Sequence, residues 1–214
     1  MVPARSQDAT RTRRRYESPL REKRAAETRS ALLDAATALF TTKGWGNTGM
    51  REVAAEAGVA VETLYSHFPS KKALLRAVGD HAVTGDDEPV ALAARPEFLA
   101  MGKGGRVQRI RAAAALVADV NQRTIPFAKL LREAASIDAE IAESLRDTRE
   151  RQRLDVAAGV ALVLGRAPSD DERDGAWAIV SPEVYLLLVE ESGWTHERYQ
   201  SWLGTALAGV LPRS

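Results

Sequence analysis

The chain has 214 residues, of which 45% are hydrophobic and 28% charged, and it has no cysteine. That length can bury a real core in one domain or two small ones, and the absence of cysteine excludes disulfides, thiol nucleophiles and Cys-ligated zinc. The net charge of +1 hides an asymmetry: residues 1–30 carry nine Arg and Lys against four acids, residues 31–81 five of each, and residues 82–214 sixteen against twenty. A basic N-terminal end on an acidic body points to a polyanionic partner.

Residues 1–20 are poor in large apolar side chains and contain Pro3 and Pro19, so a disordered basic arm is expected. They also lack the apolar core of a secretory signal. No later run approaches the roughly 18 to 20 apolar residues of a membrane span, so a cytoplasmic protein is expected. From residue 22 to 43, Leu32, Leu33, Ala36, Leu39 and Phe40 recur at helical spacing, and Gly44 follows as a stop. Thr48 is the expected N-cap of a short second helix bearing Met50, Val53, Ala54 and Ala57, which Gly58 ends. A third helix is expected over 61–67, and a fourth opens at Ser70 after Pro69. Beyond the loop 85–89, helices are expected over about 90–101, 105–123, 125–135, 138–165, 169–191 and 195–211, punctuated by Gly102, Gly104, Gly105, Gly165, Pro168 and Gly193. Pro182 either kinks the helix over 169–191 or restarts it, with Ser181 as cap. No segment alternates with period two, so the fold class is all-α. The domains expected are the arm (1–20), a helix-turn-helix unit (21–68) and a helical body (69–214) joined by a connecting helix (69–84).

Two short helices joined by a tight turn form a helix-turn-helix. Ala54 permits close approach of the helices, and Gly58 suits a left-handed turn. With Val53, Ala57, Val59 and Leu64 inward, Ala60, Val61, Glu62, Thr63, Ser66 and His67 remain outward, and a recognition helix presents its N-terminal residues to base edges in the major groove. On spacing alone, an ordinary αα-corner fits as well.

The stretch from Gly58 to Leu75, containing Tyr65-Ser66-His67-Phe68-Pro69-Ser70-Lys71, resembles the signature of TetR-family transcriptional regulators. The resemblance reaches back through Thr48–Gly58 to Ala35-Ala36, Leu39-Phe40 and Gly44-Trp45, about 50 residues in one register. It implies that Tyr65, His67 and Lys71 contact phosphates, that Thr48 does so at the start of the second helix with Arg51 nearby, and that Val61, Glu62 and Thr63 read bases. Glu62 can accept from a cytosine amino group, and Val61 or the Thr63 methyl can touch thymine. Gly49 departs from the pattern, where the family often has Thr or Ser, which removes one expected contact. A half-buried packing ring competes for Tyr65, and a solvated helix end for His67. The arginine-rich arm could add phosphate or minor-groove contacts or be an inert tail.

Near the C-terminus, Trp177, Ser181–Tyr185, Trp194, Tyr199 and Trp202-Leu203 resemble the last two helices of such regulators, which dimerise as a four-helix bundle. The expected interface is Val180, Val184, Leu187 and Leu188 on one helix, with Tyr199, Trp202, Leu203, Ala206 and Val210 on the other; internal packing competes. A ligand site is expected among Phe98, Met101, Leu116, Asn121, Phe127 and Leu131, with Gln122 as a further polar group to watch.

Enzymatic readings are weaker. Asp170-Asp171-Glu172-Arg173-Asp174 has the spacing of a magnesium-diphosphate motif, but Ser169 and Glu172 form a capping box and acids belong in a first helical turn. His81 with Asp86, Asp87 and Glu88 reads as a solvated loop rather than a metal cluster. No catalytic residue, cofactor or metal is expected. The expected partners are a two-fold DNA operator, a second copy of the chain and an unknown small effector, in a regulator that more often represses than activates. The rival is a DNA-binding protein without a ligand, which a solidly packed centre would favour and an apolar cavity would disfavour.

Overall fold

The computed structural model of the chain describes residues 8–86, 88 and 90–212, and the side chains from residue 20 onward. Ten α-helices and no strands are found among the described residues. They are α1 (Asp8–Lys43), α2 (Met50–Glu56), α3 (Val61–His67), α4 (Lys71–Thr84), α5 (Pro96–Leu99), α6 (Arg106–Ala135), α7 (Ala139–Leu164), α8 (Asp170–Ile179), α9 (Pro182–Tyr185) and α10 (His196–Val210). Two 3₁₀ turns flank α5, and α9 runs on as a π-helical turn over Leu186–Glu191.

Three boundaries differ from expectation. Helix α1 begins at Asp8, so the expected arm is helical where it is described, and residues 1–7 lie outside the described residues. Arginine and alanine are good helix formers, and extending a helix already nucleated by packing avoids the cost of a new nucleus. The helices expected at 105–123 and 125–135 are one, with Pro126 inside. Pro126 cannot donate to the carbonyl of Gln122, but both residues are exposed, so water can take up that carbonyl. The helix expected over about 90–101 is broken into a 3₁₀ turn, the four-residue α5 and a second 3₁₀ turn. Of the two readings of Pro182, the restart is the one found, with Ser181 at the cap position but without a side-chain cap bond.

The core has two parts. One packs Leu32, Leu33, Phe40, Val53, Leu64, Phe68, Leu74 and Leu75 of α1–α4 against Leu130, Leu131, Ala134 and Ile141, where α6 turns into α7. The other joins Phe98, Met101, Ile110, Val160, Val163, Tyr185, Tyr199, Leu203 and Leu207. Each fully buried leucine contributes about 1.5–3 kcal/mol relative to exposure. Between the two parts α6 runs as a 30-residue spine.

Candidate functional site

Helices α2 and α3, seven residues each, form the helix-turn-helix. Gly58 has φ +69, the left-handed conformation that the turn requires. The Val59 N–H donates to the Ala54 carbonyl at 2.9 Å, and Val53, Ala54, Leu64 and Phe68 are buried beneath. Ser70 caps α4, accepting from the Ala73 N–H at 3.1 Å. Only Phe68, Pro69 and Ser70 separate α3 from α4, so the two helices are tightly linked.

On the outer face Ala60, Glu62, Tyr65 and Ser66 are exposed, Tyr65 at 49%, while Thr63 and His67 are half-buried. Val61 is half-buried and packs on the head core, so only part of its side chain faces out. Ser66 donates its hydroxyl to the Thr63 carbonyl at 2.7 Å, and the His67 ring lies 6.2 Å from that of Phe68. Arg51 is exposed with no hydrogen bond or ion pair among the described residues.

Two residues stand otherwise than expected. Thr48 is 3% exposed, and its hydroxyl donates inward to the Leu39 and Gly44 carbonyls at 3.2 and 3.0 Å. It therefore closes the α1–α2 turn, and Gly49 occupies the N-cap position. A Thr hydroxyl has one proton, and here backbone carbonyls at close range take it. Lys71 donates its ammonium to the Trp45 carbonyl and sits 4.1 Å from the Trp45 ring centroid. Burial lowers its pKa, and the charge of Asp138 pulls part of that back. The Trp45 indole N–H donates to Asp138 Oδ2 at 3.0 Å, and the other carboxylate oxygen caps α7 through the Glu140 and Ile141 N–H groups. The Trp45 bond is the main cause holding the Asp138 carboxyl below the usual range. Trp45, Lys71 and Asp138 thus tie the head to the α6–α7 turn. The partners lie far apart in sequence, and spacing alone carries no signal for them.

The body holds a half-open cavity of about 1100 Å³. All six expected ligand residues, Phe98, Met101, Leu116, Asn121, Phe127 and Leu131, lie on its wall. Asn121 is 2% exposed and donates to the Val180 carbonyl and the Tyr199 hydroxyl, each at 3.0 Å, while Gln122 faces solvent. Burial of Tyr199 pushes its phenol up to about 12. At one side of the cavity Glu183 holds Arg132 and Arg149 at 2.8 and 3.0 Å. Neither this network nor Asp155 on the wall stood out in the sequence, because α7 is rich in charges on all sides.

Val180, Tyr199 and Leu203 were expected at a dimer interface but lie in this chain's own core, Leu203 at 0% exposure. Positions 199, 203 and 207 of α10 form the stripe that meets the body. Leu187 is exposed, and Val184, Leu188, Trp202, Ala206 and Val210 are half-buried. The acids after Ser169 are engaged locally. Glu172 accepts from the Ser169 N–H and from both terminal nitrogens of Arg166, Asp170 pairs with Arg173, and Asp174 takes Arg153 and Arg173. Asp86 is clamped by Arg95 at 2.5 and 2.7 Å, and Asp87 lies outside the described residues. No group of three or more His, Asp or Glu could hold a metal ion, and no helix is long and apolar enough to cross a membrane, among the described residues.

The family model described as "Bacterial regulatory proteins, tetR family" matches residues 32–78, which span the last third of α1, the helix-turn-helix and about half of α4. No curated protein matches the chain. Several solved structures share its fold. One, assigned to the TetR family of transcriptional regulators, comes from Rhodococcus sp.; it is 20% identical, covers 87% of this chain and 99% of its own, and has a TM-score of 0.65. A second such protein, from Mesorhizobium loti, is 17% identical with coverages of 88% and 96% and a TM-score of 0.64. A TetR-family member from Streptomyces coelicolor A3 is 19% identical, with coverages of 84% and 97% and a TM-score of 0.59. Residues 32–78 thus match the tetR-family model, and the chain as a whole has the all-α fold seen in solved TetR-family transcriptional regulators.

Proposed function

We propose that the protein is a cytoplasmic, homodimeric repressor that binds a two-fold DNA operator and is released from it by a small molecule in the body cavity. The observation that carries the DNA-binding reading is the outward row of Glu62, Tyr65 and Ser66 on α3 with Ala60 at its N-cap, flanked by Arg51, which is unpaired among the described residues. Arg51 and Tyr65 contact phosphates, and Val61, Glu62 and Thr63 read bases. Lys71 supports the recognition helix by fixing Trp45. Dimerisation uses the outer face of α9 and α10 around Leu187 and Trp202, and two linked heads gain affinity through high effective concentration. The cavity supports ligand sensing over the rival of a ligand-free DNA-binding protein, which calls for a filled centre.

Switching works through α4. Because only three residues separate α3 from α4, a shift of α4 carries the recognition helix with it. Two-fold sites require recognition helices about 34–36 Å apart or a multiple of a DNA turn, and a ligand acts only through different affinities for the two head spacings.

Selection of bound sites from random DNA, followed by titration, tests the reading. Selected sites should be palindromic. Arg51→Ala should weaken every sequence alike and reduce the slope of log affinity against log salt by about one. Loss confined to one base pair would remove Arg51 from the phosphate role. Failure to enrich any site would overturn the operator reading.

A further inference from the structure

Helix α1 runs on well past the head it serves. Its first buried residues are Leu32 and Leu33, and half-buried ones reach back only to Thr28. Leu20 to Glu27 are all exposed, which leaves two turns of the helix with no buried side. Lys23 pairs with Glu27 one turn on at 3.8 Å, a contact that water screens. Pro19 also lies inside α1 and has no N–H to give to the carbonyl of Arg15. Burial therefore does nothing to hold the stretch before Thr28, and a helix that is polar all round needs another source of stability. Its charge is one-sided: residues 11–24 carry seven Arg and Lys against Glu17 and Glu22. Arg24 has no hydrogen bond or ion pair among the described residues. Arg29 lies 4.8 Å from the centroid of the Phe68 ring, and Phe68 closes the C-terminal end of α3. The extension thus leaves the head beside the end of the recognition helix that carries Tyr65 and His67.

We propose that the first five turns of α1, residues 8–27, are a second DNA-binding element: a basic helix laid along phosphates that α3 does not reach. This rests on the DNA-binding reading of the helix-turn-helix and adds a contact that positions the protein without reading bases. Twenty residues of helix span about 30 Å. At one phosphate per 3.4 Å of strand, that length follows about nine phosphates. The competing polyanion is the acidic body of a second copy, with sixteen basic residues against twenty acidic over residues 82–214. That is a far weaker field than one charge per about 1.7 Å of duplex.

Two variants test the proposal on a site selected from random DNA by the full chain. One lacks residues 1–20, and the other is the full chain with Arg13→Gln, Arg14→Gln and Arg15→Gln together. Neither touches the head core, which starts at Leu32. Each should bind every DNA sequence about tenfold or more weakly at about 0.1 M salt. The slope of log affinity against log salt should fall by about two to three per protomer, and the base preferences of the selected sites should not change. Hydroxyl-radical footprints should show backbone positions that the full chain protects and the truncated chain leaves open. Unchanged affinity, slope and footprint would make the extension an inert tail and overturn the proposal. Altered base preference would overturn the backbone role. A truncated chain that sediments differently without DNA would place the extension on protein instead, and the proposal would fall. If the full chain enriches no site at all, the DNA-binding reading itself falls.

Discussion

At the scale of single residues, the same side-chain types do different work depending on what meets their polar atoms. Thr48 and Lys71 both have the chemistry of phosphate contacts, yet backbone carbonyls and the Trp45 ring occupy them, whereas Arg51 and Tyr65 are left open. Glu172 shows the consequence of full engagement. Two Arg166 bonds, then the Ser169 N–H, hold its carboxyl down to about 2. Its folded pKa lies below the unfolded value, so its stabilisation is complete above about pH 4.5 and is lost as pH falls from there toward 2. Urea titrations should show that Glu172→Gln destabilises the chain at pH 7 and that the difference shrinks between pH 4.5 and 2. An undiminished difference at pH 2 would count against the Arg166 pairing as its origin.

At the scale of elements, the contact between α4 and α6 is the one that the proposed switching would use. Gly79 of α4 faces Phe127 of α6 so closely that an added Cβ would lie 2.7 Å from the ring. The ring borders the cavity and has room to swing into it. Gly79→Ala should therefore change stability by no more than about 1 kcal/mol, because improved helix propensity offsets the displaced ring. It should weaken binding of bulky cavity probes. A loss above about 3 kcal/mol in denaturant melts would mean that the two helices, not the ring, give way. Helix types and the head's register were legible in the sequence because 3.6-residue periodicity, Gly44, Gly58 and Ser70 act locally. The fusion of α6 across Pro126 was not, since it depends on Gln122 and Pro126 facing water. The cavity residues Phe98 to Leu131 were legible as an apolar set.

At the scale of the whole molecule, the two C-terminal helices divide their apolar residues between inside and outside. The sequence stripes combined both sets, because a helix with one apolar face on its own body and further apolar residues outside is apolar nearly all round. Leu187→Asp should yield a folded monomer by sedimentation, since Leu187 is 52% exposed in the single chain, and should cost most of the operator affinity. Leu203→Asp should instead unfold the chain, because it places an unpaired charge in the core. A dimer surviving Leu187→Asp would move the interface elsewhere.

The core beneath the helix-turn-helix has a consequence for grafting. Leu130, Leu131, Ala134 and Ile141 complete it, and Asp138 grips Trp45 from the same turn. A chimera that transplants residues 21–68 onto a relative's body would therefore leave behind part of the transplant's own foundation. Such a graft would keep its recognition residues and lose the angle at which they are presented, unless the α6–α7 turn travels with it.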